Sequence, residues 1–165
     1  MRASDFQPGP LRIGAPLSKR SEFDAIESEC VAGHVLLTRI RGHATRALAE
    51  QQFHQFNREV AVISNPIWII EQLEMTGFDP GAVTTGARWF NSFKERGGKR
   101  VIIVSTLATA RMAAVSLAFA VDAKSSCCET LKEAYEQAGI GQVEVRPSMY
   151  SLRPAKPGET PPSRR

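Results

Sequence analysis

The side chains able to do chemistry are few in this 165-residue chain, and they do not gather. The histidines are His34, His43 and His54. None has the i, i+4 partner that sets two imidazoles on one helix face for a metal, and His43 and His54 fall about three turns apart if the stretch between them is helical. Cys30, Cys127 and Cys128 are odd in number, two of them are adjacent, and no C-x-x-C spacing exists, so neither a zinc site nor a thioredoxin-type pair is in view. This cysteine usage fits a reducing compartment. Cys127 or Cys128 would be an activated thiol in the first turn of a helix, and a small buried filler otherwise. "TTGAR" lacks the lysine of a phosphate loop, and "RGGKR" ends a helix rather than opening one. No nucleophile elbow or dinucleotide fingerprint is present. The residues therefore ask for no catalytic group, no metal and no cofactor, and the expectation is a protein that is not an enzyme.

One stretch stands apart, "TGFDPGAVTTGARWF", residues 76–90. An apolar run hands over to a helix through Asp79-Pro80-Gly81. Asp is a favoured N-cap, and Pro at the first helical position gives up no needed donor. Gly81 permits close backbone approach. With Phe78 and Trp89, these residues form the candidate partner-binding surface: Phe78, Asp79, Pro80, Gly81 and Trp89. Trp89, Phe90 and Phe93 fall at helical spacing and belong to the core. Trp89 is expected to be partly exposed beside the loop, where an aromatic side chain would anchor a partner. Thr84 and Thr85, about one turn further on, are the candidates for phosphorylation, because phosphate near a helix N-terminus is favoured by the dipole and free N–H groups. Their ordinary role is helix surface or packing.

The elements that position this stretch can be read from periodicity. "SEFDAIESECVAGHVLLTRIRGHA" alternates polar and apolar residues around Ala32-Gly33, which predicts a hairpin with strands about 22–30 and 34–41, ended by Gly42. Ala44, Leu48, Ala49, Phe53 and Phe56 then fall at helical spacing behind a Thr45 cap. After the Asn65-Pro66 break, "IWIIEQL" reads as a buried strand, about 67–73. The helix opened by Asp79 ends at "RGG". "KRVIIVS" is a second buried strand, about 100–105, followed by a helix capped by Thr106. "LAFAVD" reads as the last strand. Ser126 and Glu129 form a capping box for a helix to about 138, closed by Gly139. The order β-β-α-β-α-β-α-β-α implies an α/β layered domain with a largely parallel or mixed sheet.

Residues 1–20, with Pro8, Pro10 and Pro16, read as a loose arm, residues 21–140 as the domain, and residues 141–165, ending "PGETPPSRR", as a disordered Pro-rich basic tail. The net charge of +4 is uneven. Five basic residues and Glu159 give +4 between Val145 and Arg165, so residues 1–144 sum to zero. A neutral domain argues against nucleic acid binding by the core. "MRASDFQPGPLRIG" lacks an apolar signal region, and the longest apolar run, Met112 to Val121, is too short for a membrane span. The expectation is a cytoplasmic protein.

Element order and turns together resemble the STAS domain, a family that includes bacterial anti-sigma-factor antagonists. The resemblance spans roughly residues 22–138. It is carried by the opening hairpin and "GHATRALA", by "IWIIEQLEMTGFDPGAV", by "FKERGGKRVIIVS" and by "CCETLKEA". It implies a mixed central sheet of about five strands with about four helices, and a role in signal transduction through protein–protein interaction. In the antagonists an Asp-Ser-Ser-Gly loop holds a serine phosphorylated by a partner kinase that is also the anti-sigma factor. The family's Asp is similar to Asp79, but its serines fall on Pro80 and Gly81 and its glycine on Ala82, so the hydroxyl switch is missing. The acidic residue the family often carries after the second strand is also missing, His43 standing near that place. The resemblance implies a protein partner such as an anti-sigma factor, a kinase-like ATPase or another signalling protein, with a homodimer as a further option. A related branch of the fold is associated with lipids, which makes a small-ligand or lipid-binding module the alternative.

Overall fold

The computed structural model describes residues 24–141. The expected arm, residues 1–20, and all but the first residue of the expected tail lie outside that range. The opening hairpin is β1 (Ala25–Ala32) and β2 (Val35–Ala44). Then come α1 (Arg46–Ala61), β3 (Ile67–Phe78), α2 (Pro80–Glu95), β4 (Arg100–Val104), α3 (Ala108–Ala120), β5 (Lys124–Cys128) and α4 (Leu131–Gln137). The five strands form one mixed sheet in the order β1-β2-β3-β4-β5. β1 and β2 are antiparallel, and every later pair is parallel. The expected α/β architecture and element order are therefore what the chain adopts.

One face of the sheet carries α1, α2 and α3, and the larger core lies between them. Its centre is aromatic. Phe56 is fully buried and stacks on Trp89 with ring centroids 4.6 Å apart, while Trp68 meets Phe56 at 4.8 Å, Phe90 at 4.6 Å and Phe93 at 5.4 Å. Offset and tilted ring contacts of this kind contribute about 0.5–1.5 kcal/mol each beyond the area they bury. Trp68 brings one polar atom into this core, and its indole Nε1 donates to Thr38 Oγ1 at 2.9 Å. Thr38 is paired in turn with the Ser28 hydroxyl at 2.9 Å. The other face carries a smaller core beneath α4, built from Val35, Leu37, Ile69, Ile102 and Val104 with Ala134 and Tyr135.

Several boundaries differ from the reading of the sequence. Gly42 does not end β2: it lies inside the strand at φ +65°, where the register against β3 slips. The register slips twice, between Arg39 and Arg41 and between Gly42 and His43, each time with one extra residue in β3, which bulges there, while Gly42 takes its left-handed conformation without strain. Beyond it His43 and Ala44 pair with Gly77 and Phe78, which carries β3 five residues past its expected end at 73. The stretch "TGF" is therefore strand, and Asp79 alone separates it from α2. "LAFAVD" is not a strand. It completes α3, which buries Ala110, Ala114 and Ala118 at four-residue spacing. Thr106 does not cap α3. Leu107 is its N-cap, with no side-chain cap bond, and the Ser105 hydroxyl accepts from the Leu107 N–H at 3.3 Å. The last strand is "KSSCC", so Ser126 and both late cysteines sit in β5, and the N-cap of the last helix is Thr130, whose hydroxyl accepts from the Glu133 N–H at 3.2 Å and donates to the Glu133 carboxylate at 3.1 Å.

Candidate functional site

Two helix N-termini converge on Asp79. Its Oδ1 accepts from the Ala82 N–H of α2 at 2.8 Å. The same carboxylate accepts from the Arg46 N–H, the first amide of α1, at 3.1 Å to Oδ1 and 3.3 Å to Oδ2. Thr45 caps α1 as expected by accepting from Leu48 N at 3.1 Å, which leaves the Arg46 amide to Asp79. The Asp79 N–H donates to Ala44 O at 3.1 Å and so ties the junction to the end of β2. One carboxylate thus answers free N–H groups and positive dipole ends from two helices, each favouring a negative charge by about 0.3–1 kcal/mol.

This corner places the expected site residues unequally. Pro80 and Thr84 are exposed, and Phe78, Asp79 and Gly81 are half-buried. Gly81 is needed because Arg46 lies over it. A Cβ there would come within 2.8 Å of Arg46 Cβ and 2.9 Å of its Cδ. Arg46 is held by Glu50 one turn along α1, Nε to Oε1 at 2.9 Å, and this carboxylate raises the guanidinium pKa above its ordinary value. The Thr84 hydroxyl donates to Pro80 O at 3.3 Å and remains on the surface. Thr85 is only 2% exposed and faces the core, so its hydroxyl is closed to a kinase. Trp89 is 4% exposed, against the expectation of a partly exposed anchor. α2 turns it inward onto Phe56 and Phe53, and Arg88 covers the Phe53 ring with its guanidinium 4.6 Å from the centroid. The aromatic anchor is therefore absent from the surface, and Pro80, Thr84 and the Arg46–Glu50 pair form its exposed part.

The histidines stay apart: His34 is in the hairpin turn, His43 near the end of β2 and His54 within α1, all exposed. Among the described residues no group of three His, Cys, Asp or Glu side chains is placed to hold a metal ion. No described helix is long and apolar enough to cross a membrane. Cys127 is exposed and Cys128 buried, and burial pushes the Cys128 thiol pKa above its ordinary value, with Glu133 adding to the shift.

Sequence reasoning missed two features. α3 presents Met112 (68% exposed) and Phe119 (84%) to the surface. Between the sheet, α2 and α3 lies a cavity of about 90 Å³. Its walls are apolar, and small residues such as Ala82, Gly86 and Ala114 hold it open. Four of its lining residues carry polar side-chain groups: Thr38, Trp68, Gln72 and Trp89. The Thr38 hydroxyl and the Trp68 indole N–H are engaged with each other, but Gln72 Oε1 and Trp89 Nε1 are buried without a hydrogen-bond partner. Each such group costs about 1–3 kcal/mol when left unpaired. The sequence held a signal for Gln72, a polar residue two places after Ile70 and four after Trp68, on the same strand face.

No protein-family model and no curated protein matches the chain by sequence. Solved structures do match by shape. A protein of the DUF3478 family with a SpoIIAA-like fold, from Shewanella loihica PV-4, is 18% identical and aligns over 68% of this chain and 91% of its own, with a TM-score of 0.55. The anti-sigma factor antagonist SpoIIAA in its unphosphorylated form is 15% identical over 70% of this chain and 98% of its own, TM-score 0.54. The Bacillus cell fate determinant SpoIIAA in its phosphorylated form gives 16%, 69%, 99% and 0.53. At these identities the likeness is one of fold: the chain adopts a SpoIIAA-like, STAS-like fold.

Proposed function

We propose that this chain is a non-enzymatic regulatory module that docks a protein partner on the corner where α1 and α2 begin. The observation that carries the reading is the Asp79 carboxylate holding both helix N-termini while Pro80 and Gly81 stand where the antagonists' serines fall. The turn is kept and built into the fold, but its hydroxyl is gone. The partner belongs to the class that STAS-like antagonists engage, an anti-sigma factor, a kinase-like ATPase or another bacterial signalling protein in the cytoplasm. Thr84 is the one of the two threonines left for modification, since it is exposed beside Pro80. Phosphate there would lie near the α2 N-terminus and the Arg46 guanidinium, both favourable to negative charge.

Affinity capture of the full chain from its native host, with quantitative mass spectrometry, tests this. Thr84→Arg changes only an exposed helical position, and Ser116→Arg on α3 is the matched control. The reading expects a signalling protein lost from Thr84→Arg and kept by Ser116→Arg. Equal recovery on both variants would overturn it. A second reading, a small-ligand module, is favoured by one observation, the apolar cavity under α2 and α3.

A further inference from the structure

We infer that the outer face of α3, with the cations around it, docks on the surface of an anionic bilayer. The helix carries one charged side chain, Arg111, and no acid. Its inner face is the row of Ala110, Ala114 and Ala118 against the sheet. Its outer face is apolar as well. Ala108, Met112, Val115 and Phe119 stand at i, i+4, i+7 and i+11, which sets them in one stripe along the helix. Met112 and Phe119 are strongly exposed, Ala108 is exposed and Val115 half-buried. A helix that is apolar on all sides is ordinarily covered on all sides, and among the described residues none covers this stripe.

Cations surround it. Arg111 stands beside the stripe on α3 itself. Lys94 is exposed in the last turn of α2, the neighbouring helix, whose Gly86 lies against Leu117 of α3. Lys99 and Lys124 meet where α3 feeds into β5, the Lys124 N–H donating to Lys99 O at 2.7 Å. From Arg96 to Cys128 the chain holds Arg96, Lys99, Arg100, Arg111 and Lys124 against one acid, Asp122, although residues 1–144 as a whole sum to zero. The ion pairs of the described residues lie elsewhere, at Arg39–Glu71, Arg41–Glu74 and Arg46–Glu50. The charge around α3 is thus left for an outside partner.

Two occupants compete for such a stripe, a second copy of the chain and a membrane. One helix of this length offers a strip roughly 20 Å by 10 Å, well short of the about 800 Å² that each partner buries in a stable complex. Pairing α3 with α3 about a two-fold axis would also bring the two sets of cations together, and like charges oppose that. A bilayer with acidic lipids answers both features. Met112 and Phe119 enter the boundary between headgroups and acyl chains, and the lysines and Arg111 stay at the level of the phosphates.

The test is flotation of the full chain with vesicles of equal parts phosphatidylcholine and phosphatidylserine, and with vesicles of phosphatidylcholine alone. The chain is expected to float with the mixed vesicles, less so as salt is raised, and to stay behind with phosphatidylcholine alone. Phe119→Ser changes a surface side chain and should weaken binding about tenfold or more, the worth of one large apolar side chain taken out of water. Lys99→Ser and Lys124→Ser should each weaken it about fivefold. Val62→Ser alters another strongly exposed apolar side chain, at the end of α1, and should bind as the parent does. In Phe119→Trp the new indole should shift its emission to the blue on the mixed vesicles, while Trp68 and Trp89 stay buried throughout. Binding that Phe119→Ser leaves intact would place the contact on the basic residues after Val145 and overturn the proposal. Equal losses in Phe119→Ser and Val62→Ser, equal flotation with both vesicles, or flotation with neither would also overturn it. A dimer in lipid-free solution that Phe119→Ser splits would seat a second copy on α3 instead.

Discussion

Removing the Asp79 side chain is the perturbation whose consequence the geometry fixes best. Asp79→Ala deletes the cap on Ala82 N of α2 and the acceptor for Arg46 N of α1 together. Loss of an N-cap costs about 0.5–2 kcal/mol, and loss of a negative charge near a helix N-terminus about 0.3–1 kcal/mol. With two helices served by one carboxylate and the terms partly overlapping, the expected loss is about 2–3 kcal/mol. For a chain of this length each kcal/mol lowers Tm by roughly 2–4 °C, so Asp79→Ala should melt roughly 4–12 °C below the parent. Asp79→Asn keeps the capping geometry without the charge and should lose less than half as much. The assay is urea unfolding followed by tryptophan fluorescence, read as a lower midpoint at unchanged slope. Hydrogen exchange adds a local readout, in which the Arg46 and Ala82 amides should both exchange faster. A loss below about 0.5 kcal/mol for Asp79→Ala, the scale of an ordinary surface substitution, would refute the shared-cap argument.

Three further outcomes follow from the same structure. Thr38→Val strands the Trp68 indole N–H and the Ser28 hydroxyl in the core, and should cost about 1–3 kcal/mol by chemical denaturation. Gly81→Val would drive its side chain into Arg46, which lies 2.8 Å from a Cβ at that position. It should displace Arg46 and weaken partner capture, while Ser116→Val, on an exposed face of α3, should leave capture unchanged. Cys128 should react with iodoacetamide at pH 8 at least about tenfold more slowly than Cys127, because it is buried and its raised pKa keeps the thiol protonated further up the pH scale. Equal rates for the two thiols would contradict the burial of Cys128.

The order of elements through α2 was legible because those periodic segments agreed with their own caps. Asp79-Pro80 and Thr45 are strong local signals, and both caps form as read. The failures have physical causes. β3 was cut short because two bulges, opposite Arg39–Arg41 and Gly42–His43, break its alternation between residues 71 and 77, and only the pairing with Arg41 to Ala44 carries the strand on. "LAFAVD" misled because α3 is apolar nearly all round, Phe119 being 84% exposed, so its period of burial shows only in the small residues Ala110, Ala114 and Ala118. β5 is short and at the sheet edge, and "KSSCC" has no apolar pattern. Two S/T-x-x-E spacings compete there, and pairing of residues 124–128 with β4 decides for Thr130. The burial of Trp89 depends on Phe53 and Phe56 arriving from α1, a tertiary contact that helical spacing within α2 does not encode. The cavity is likewise a product of three elements meeting, and only the polar Gln72 on an otherwise apolar strand face pointed to it.

The central claim, that the α1/α2 corner is the docking surface, is tested most directly by site-specific photo-cross-linking in the native host. A benzoylphenylalanine placed at position 84 reports on the corner, and one at position 119 reports on the exposed apolar face of α3. The account predicts a discrete cross-linked signalling protein from position 84 and none from position 119. The same partner captured from position 119 alone would contradict it and move the interface to α3.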